Sequence, residues 1–388
     1  MSTDVSPHEA TVTCWGPVSW ELRTPDAGER RWFTEHLSVT HSRLSPPLVP
    51  RRHFRVEVRP GPLPGRGTAE PGQPVVRIRD ESYRRSVLGG LPAWTWEERA
   101  DAALPPHAFV RRRDDDWLVL RARSDGPDRR TGREDGRHRP AEILAREFLT
   151  GVLAARGGLT VHASAAYGTG GPGSGGSHPP GITLFCGASG AGKSTLALAL
   201  ATAGGSFVAG DRCVLLPGRD RWDVVGAAVA ARFGWGTLAG TGRAGLVRAT
   251  PLLRHGGTPV GSLPHPPAKA LLTRTEFEEL LGAATADGGP LARVVFLERG
   301  APKRPVLEVV PPERAAAMLR ANLLADADPT WWQEPPATAR AAPDHPAPDH
   351  PAPDHPAPAL PVPALRLRWD PAAHATGTAL DLIAQAAA

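Results

Sequence analysis

The sequence predicts an α/β protein in which a phosphate-binding-loop domain with a mixed sheet follows a smaller β-rich region. Three observations carry this expectation. Residues 187–195 read Gly-Ala-Ser-Gly-Ala-Gly-Lys-Ser-Thr and fit G-x-x-x-x-G-K-[ST] at every fixed position. A strand-like apolar run, Gly181 to Cys186, enters this stretch, and a helix-like run from Ser194 to Ala203 leaves it, stopped by Gly204-Gly205. Residues from about 10 to 140 alternate short apolar-polar stretches with Pro and Gly breaks, the pattern of short strands.

Along the chain, strand-like stretches are expected at Val12 to Leu22, His53 to Val58, Pro74 to Ile78 and Trp117 to Ala122. Pro60 to Gly72 and Ser124 to Arg139 are polar and predict loops. The run Arg111-Arg-Arg113 followed by Asp114-Asp-Asp116 cancels its own charge and predicts a solvated turn. From Ala141 to Arg156, Ile143, Leu144, Phe148, Val152 and Leu153 form a helical stripe that leads into the second domain, residues 141–388. A strand from Gly158 to Tyr167 pairs with the loop strand across a Gly/Ser/Pro connection. Short strands at Ser206 to Ala209 and Cys213 to Leu216 flank Asp211, and Arg221 to Val225 returns. Helices are expected at Arg274 to Gly282, Pro312 to Leu324 and Thr378 to Ala387, the last one capped, and strands at Ala292 to Glu298 and Ala364 to Trp369. Between about 335 and 362, Pro-Asp-His repeats every five residues; such proline density predicts a solvated insertion with nothing to bury, and fixes no metal site.

The 388 residues suffice for two modest domains, with 11 tryptophans to anchor cores. A formal charge of +5 from dispersed arginines predicts no nucleic-acid binding. No apolar run approaches the length of a membrane span, and the first residues lack the regions of a signal peptide. Three widely spaced cysteines fit a reducing compartment, and cytoplasmic location is the expectation.

The chemistry expected of the loop follows from its residue types. Small residues let consecutive backbone N–H groups from Gly187, Ala188, Ser189, Gly190, Ala191 and Gly192 curl around a polyphosphate, while the helix beginning near Lys193 points its positive end at the same anion. Lys193 is one of only three lysines among many arginines. It would reach the terminal phosphates of ATP, with Ser194 on Mg²⁺ and Thr195 completing the motif. Asp211 lies 18 positions after Lys193. A carboxylate there can hold Mg²⁺ or take a proton from an attacking hydroxyl; Asp223 is a second acid within reach in sequence. His162 sits mid-strand, where a buried core histidine and a phosphate or substrate contact are both open readings.

The segments Leu159-Thr-Val-His162-Ala-Ser-Ala, Gly187 to Thr195 and Phe207-Val-Ala-Gly-Asp211-Arg-Cys-Val together resemble the core of the HPr kinase/phosphorylase-like serine kinases, whose fold is of the HPr kinase/PEP carboxykinase type. The span from Pro312 to Trp332, with Asn322, resembles divergent bacterial members found beside peptide-modification systems. The resemblance covers residues 142–230 and fades toward the C-terminus; residues 1–140 carry none. It implies an ATP-dependent kinase acting on a Ser or Thr hydroxyl of a peptide or small protein, in the family's case a ribosomally made precursor, with an oligomeric precedent; on the kinase reading, acceptor recognition is the role expected of residues 1–140. It makes Lys193, His162 and Asp211 catalytic, and Ser194 and Asp211 the metal ligands. Gly210 stands where the family has the first aspartate of a pair, so phosphorylase activity is not expected. Alternatives are a small-molecule kinase and a nucleotide-binding regulator without catalysis.

Overall fold

The computed structural model describes residues 10–38, 52–63, 75–78, 81–97, 104–122, 135–168, 181–218, 221–227, 231–240, 254–255, 258–259, 269–300, 303–324 and 362–386. The Pro-Asp-His repeat and the 169–180 connection lie outside them. The architecture is α/β with mixed sheets.

Among the described residues up to 122, an eight-stranded sheet forms in the order β1-β2-β3-β8-β7-β6-β5-β4. Its strands are β1 (Ala10–Trp15), β2 (Val18–Arg23), β3 (Arg52–Pro60), β4 (Val75–Ile78), β5 (Glu81–Leu88), β6 (Leu91–Trp96), β7 (His107–Arg113) and β8 (Asp116–Arg121). Most neighbours are antiparallel, but β3 runs parallel to both β2 and β8. The expected single stretch from Val12 to Leu22 is a hairpin, turned by Gly16 at φ 56°. The Arg-Asp run straddles the β7–β8 hairpin: Arg111–Arg113 end β7, Asp116 opens β8, and only 114–115 form the turn, so the expected solvated turn is narrower than the run; Asp115 accepts from Arg52 Nε at 2.9 Å.

Two elements differ from expectation. Helix α1 (Ala27–Leu37) was not legible as an apolar stripe, because only Trp32, Phe33 and Leu37 among its apolar residues are buried. Its start has a physical signature all the same: Asp26 caps it, accepting from the backbone N–H groups of Gly28 and Glu29 at 2.8 and 3.2 Å. Helix α2 (Asp135–Ala154) begins before Pro140 instead of after it, so 135–139 is helical where a loop was expected. Proline forfeits one intrahelical hydrogen bond there, while Ile143, Leu144, Phe148 and Leu149 are buried against the sheet and hold the helix in place. Phe148 stacks on Phe54 of β3, with ring centroids 4.0 Å apart. Trp20, Trp94 and Trp117 are fully buried in the same core.

The second sheet is built on β9 (Leu159–Gly168) and β10 (Gly181–Gly187), an antiparallel pair as expected. The other edge of β9 pairs first with β11 (Ser206–Ala209) and then with β12 (Arg212–Pro217), so residues 210–211 are a bend between two strands that share one partner. Then come β13 (Trp222–Gly226), the small pair of β14 (Ala231–Gly234) and β17 (Lys269–Leu272), and the two-residue strands β15 (Arg254–His255) and β16 (Thr258–Pro259). The sheet continues with β18 (Ala284–Thr285), β19 (Gly288–Arg299), β20 (Val306–Val309) and β21 (Ala364–Trp369). Strand β10 lies parallel to β19, which lies parallel to β21.

Alternation along β9 and β10 sends side chains to two cores. Val161, Ala163, Ala165, Leu184 and Cys186 meet Ala315 and Leu319 of helix α6 (Pro312–Arg320) on one face. On the other, Ala166 and Phe185 meet helices α3 (Lys193–Thr202), α4 (Trp235–Gly240), α5 (Arg274–Leu281) and α7 (Thr376–Gln385). Helix α7 starts at Thr376, two residues earlier than expected, and Ala375 before it supplies no side-chain cap, so the expected capped start is corrected; burial of Ala379, Leu380 and Ile383 fixes the helix instead. The sheets are joined where Trp15 Nε1 donates to the Gly226 carbonyl at 2.8 Å and the Gly16 N–H to Asp287 at 3.2 Å.

Candidate functional site

The loop 188–192 joins the end of β10 to the start of α3, and two glycines have no substitute there. A Cβ on Gly187 (φ 146°) would lie 2.5 Å from the Leu297 carbonyl oxygen, and one on Gly192 (φ 93°) would lie 2.4 Å from the Trp369 ring. Trp369 is fully buried beneath the loop and donates its Nε1–H to the Ala191 carbonyl at 2.9 Å. From the opposite side, Asn322 at the end of α6 accepts from the Gly187 N–H at 3.0 Å, while its own carbonyl accepts from the His162 N–H at 2.9 Å. The loop's shape is therefore held by residues far away in sequence.

Inside it, Lys193 turns its ammonium back to donate to the Gly187 and Ala188 carbonyls at 2.7 and 3.0 Å. Burial lowers its pKa, opposed by the charge of Asp211. The Gly210 carbonyl accepts from two hydroxyls, Ser194 at 2.8 Å and Ser164 at 2.7 Å, which are themselves 3.2 Å apart. Ser194 thus spends its proton on the bend and keeps oxygen lone pairs for a cation. Thr195 bonds Thr237 of α4 at 3.2 Å.

His162 and Asp211 meet across the β9–β12 ladder, with Nε2 3.3 Å from Oδ1. His162 is a third exposed, not a core residue, because its strand face opens at the bend. Burial, followed by the Lys193 charge, depresses its pKa below the usual histidine value, while Asp211 acts in the opposite sense. Asp211 is 70 % exposed.

These residues line one cleft of about 660 Å³, with Ser189, Gly190, Gly192, Lys193, Ser194, Thr195, His162 and Asp211 on its walls. That volume is in the range of small-molecule sites. Gly187, Ala188 and Ala191 stand behind as its frame. Asp223 does not join them: it pairs with Leu216 near the far end of the β12–β13 hairpin and is 1 % exposed, and burial raises its pKa.

Sequence reasoning missed part of the wall. Ser164, fully buried behind Ser194 and the Gly210 carbonyl, was missed as a support of the site although it follows His162 by two residues, so period-two alternation places both on one face of β9. Arg139, Glu142, Arg232, Gly234, Gly236 and Thr237 also line the cleft. No pattern joins them, since three separate elements carry them.

As to chemistry, the loop has backbone N–H groups, a lysine and a hydroxyl suited to phosphate, and Ser194 and Asp211 are oxygen donors suited to a hard divalent cation. Among the described residues, no group of three or more His, Cys, Asp or Glu side chains could hold a metal by itself. Any cation here would share its ligands with a bound phosphate. Among the described residues, no helix is long and apolar enough to cross a membrane. No family model matches the chain, and no curated protein matches it in sequence.

Proposed function

We propose that the cleft binds Mg·ATP through a phosphate-binding loop at 187–195 and that the protein is a kinase transferring the γ-phosphoryl group to a Ser or Thr hydroxyl of a peptide or small protein. The resemblance to the HPr kinase-like serine kinases belongs to the same proposal. The observation that carries it is the convergence of Lys193, Ser194, His162 and Asp211 on one cleft. Of these only Lys193 and Ser194 belong to the motif, so their meeting with the other two is independent of it.

In this reading N–H groups of the loop between Ala188 and Gly192 cradle phosphate oxygens, the Gly187 N–H staying on Asn322 as part of the frame, and Lys193 swings from its two loop carbonyls to the terminal phosphate. Ser194 and one carboxylate oxygen of Asp211 would hold Mg²⁺, which neutralises phosphate charge when bound. Asp211 takes the acceptor hydroxyl's proton as that oxygen bonds to the γ-phosphorus and the bond to the bridging oxygen of ADP breaks. His162, neutral because of its depressed pKa, donates to Asp211 and holds it in place.

A regulator that binds nucleotide without transfer is the second reading, favoured by the missing side chain at Gly210. Labelled ATP with Mg²⁺ and serine-containing peptides separates the two. Transfer that vanishes in Lys193→Ala supports the kinase; binding without transfer supports the regulator.

A further inference from the structure

One wall of the cleft has no part in the loop's chemistry. Arg139 and Glu142 lie three residues apart on α2, and Arg232 comes from β14. The Glu142 carboxylate is 1 % exposed and lies 3.5 Å from the Arg139 guanidinium and 3.2 Å from that of Arg232. All three line the same cleft as Lys193, Ser194 and Asp211.

We propose that Arg139 and Arg232, set in place by Glu142, grip an anionic oxyacid group, carboxylate or phosphate, carried by the acceptor next to its reacting hydroxyl. This rests on the kinase reading and names the acceptor's chemistry within it.

A carboxylate buried as deeply as Glu142 is costly unless it is paired. Two guanidiniums meet it, so it is compensated and orients both of them. Among the cleft-lining side chains of this wall, two are guanidiniums and one is a carboxylate. The side chains of Arg139 and Arg232 remain 31 % and 29 % exposed, so the wall is reachable by a ligand. A planar guanidinium suits carboxylate or phosphate oxygens in bidentate fashion. The loop brings Lys193 and its own N–H donors for the nucleotide, which leaves the arginines for a second ligand. Next to Arg139 on α2, His138 stacks on Trp32 of α1, so the wall lies beside the N-terminal region.

The test uses the full chain with three sets of serine peptides in which the residue beside the serine is Asp, phosphoserine or Asn. Wild type is expected to use the two charged sets with kcat/KM about tenfold or more above the neutral set, the effect of a charge-assisted hydrogen bond. Whichever charged set is used better identifies the anion. Arg139→Gln and Arg232→Gln should erase that preference by raising KM for the charged sets, while the Kd for a fluorescent ATP analogue changes less than about twofold. Should Arg232→Gln fold poorly because Glu142 loses a partner, the Glu142→Gln/Arg232→Gln double variant removes both charges together. Equal use of all three sets by wild type overturns the proposal alone, as does loss of ATP binding in the arginine variants, which would make these side chains nucleotide contacts. Absence of ATP binding by wild type overturns the kinase reading and this proposal with it.

Discussion

Trp369 donates its indole N–H to the backbone carbonyl of Ala191, 178 residues earlier, and its ring fills the space that a side chain on Gly192 would need. A strand near the end of the chain thus sets the curvature of a loop near its middle.

From this follows a ranked pair of outcomes. Trp369→Phe keeps an aromatic ring under the loop but leaves a buried carbonyl unpaired, at a cost of about 1–3 kcal/mol. Gly192→Ala combines a left-handed backbone with a contact no Cβ tolerates, so it should cost more and disturb the loop itself. Chemical denaturation of both variants checks the order; a Gly192→Ala protein as stable as wild type would show that Trp369 does not confine the loop.

A second prediction concerns pH. The folded-state pKa of His162 lies below its unfolded value of about 6.5. Between the two values the unfolded chain binds the proton and the folded one does not, so the contribution of His162 to stability is present above pH ~6.5 and is lost as pH falls through the folded pKa. In an NMR titration the His162 ring should show a midpoint below 6.5, and His162→Asn should remove that share of the acid-side loss of stability. A midpoint above 6.5 would mean that Asp211, not burial and Lys193, governs the ring.

The bend at 210–211 gives a third. A Cβ added to Gly210 would meet only the Phe207 ring, at 3.4 Å, an ordinary contact, and the backbone there is not left-handed. Gly210→Asp is therefore expected to fold with a melting temperature within a few degrees of wild type, whereas Asp211→Asn should abolish phosphoryl transfer while ATP binding persists. Unchanged turnover in Asp211→Asn would remove that carboxylate from the mechanism.

A fourth concerns the thiols. Burial pushes the Cys186 thiol up to about 12 and raises Cys213 well above its usual value. Both should resist a thiol-modifying disulfide reagent at pH 8 until the chain unfolds, while the less buried Cys14 reacts first. Rapid reaction of more than one thiol in the native protein would contradict this packing.

How much of this was legible in the sequence depended on range. The 187–195 motif, its strand and its helix are local, and the Gly187, Gly192 and Lys193 positions follow from residue type alone. The pairing of His162 with Asp211 needs the β9–β12 ladder, which the strands around the bend suggested but could not fix. The Arg139–Glu142–Arg232 wall and the Trp369 prop were out of reach: their partners lie 90 to 178 residues away and meet only through tertiary packing. Helix α1 was missed for another reason, since its Asp26 cap was a readable signal but its apolar residues Trp32, Phe33 and Leu37 are too few to draw a stripe among the charged ones.

The measurement that bears most directly on the central claim is a titration of wild type and Lys193→Ala with ATP in the presence of Mg²⁺. Saturable binding by wild type with a Kd weakened at least tenfold in Lys193→Ala is the result the cleft predicts. Binding that is absent in wild type, or equal in the two proteins, would contradict it.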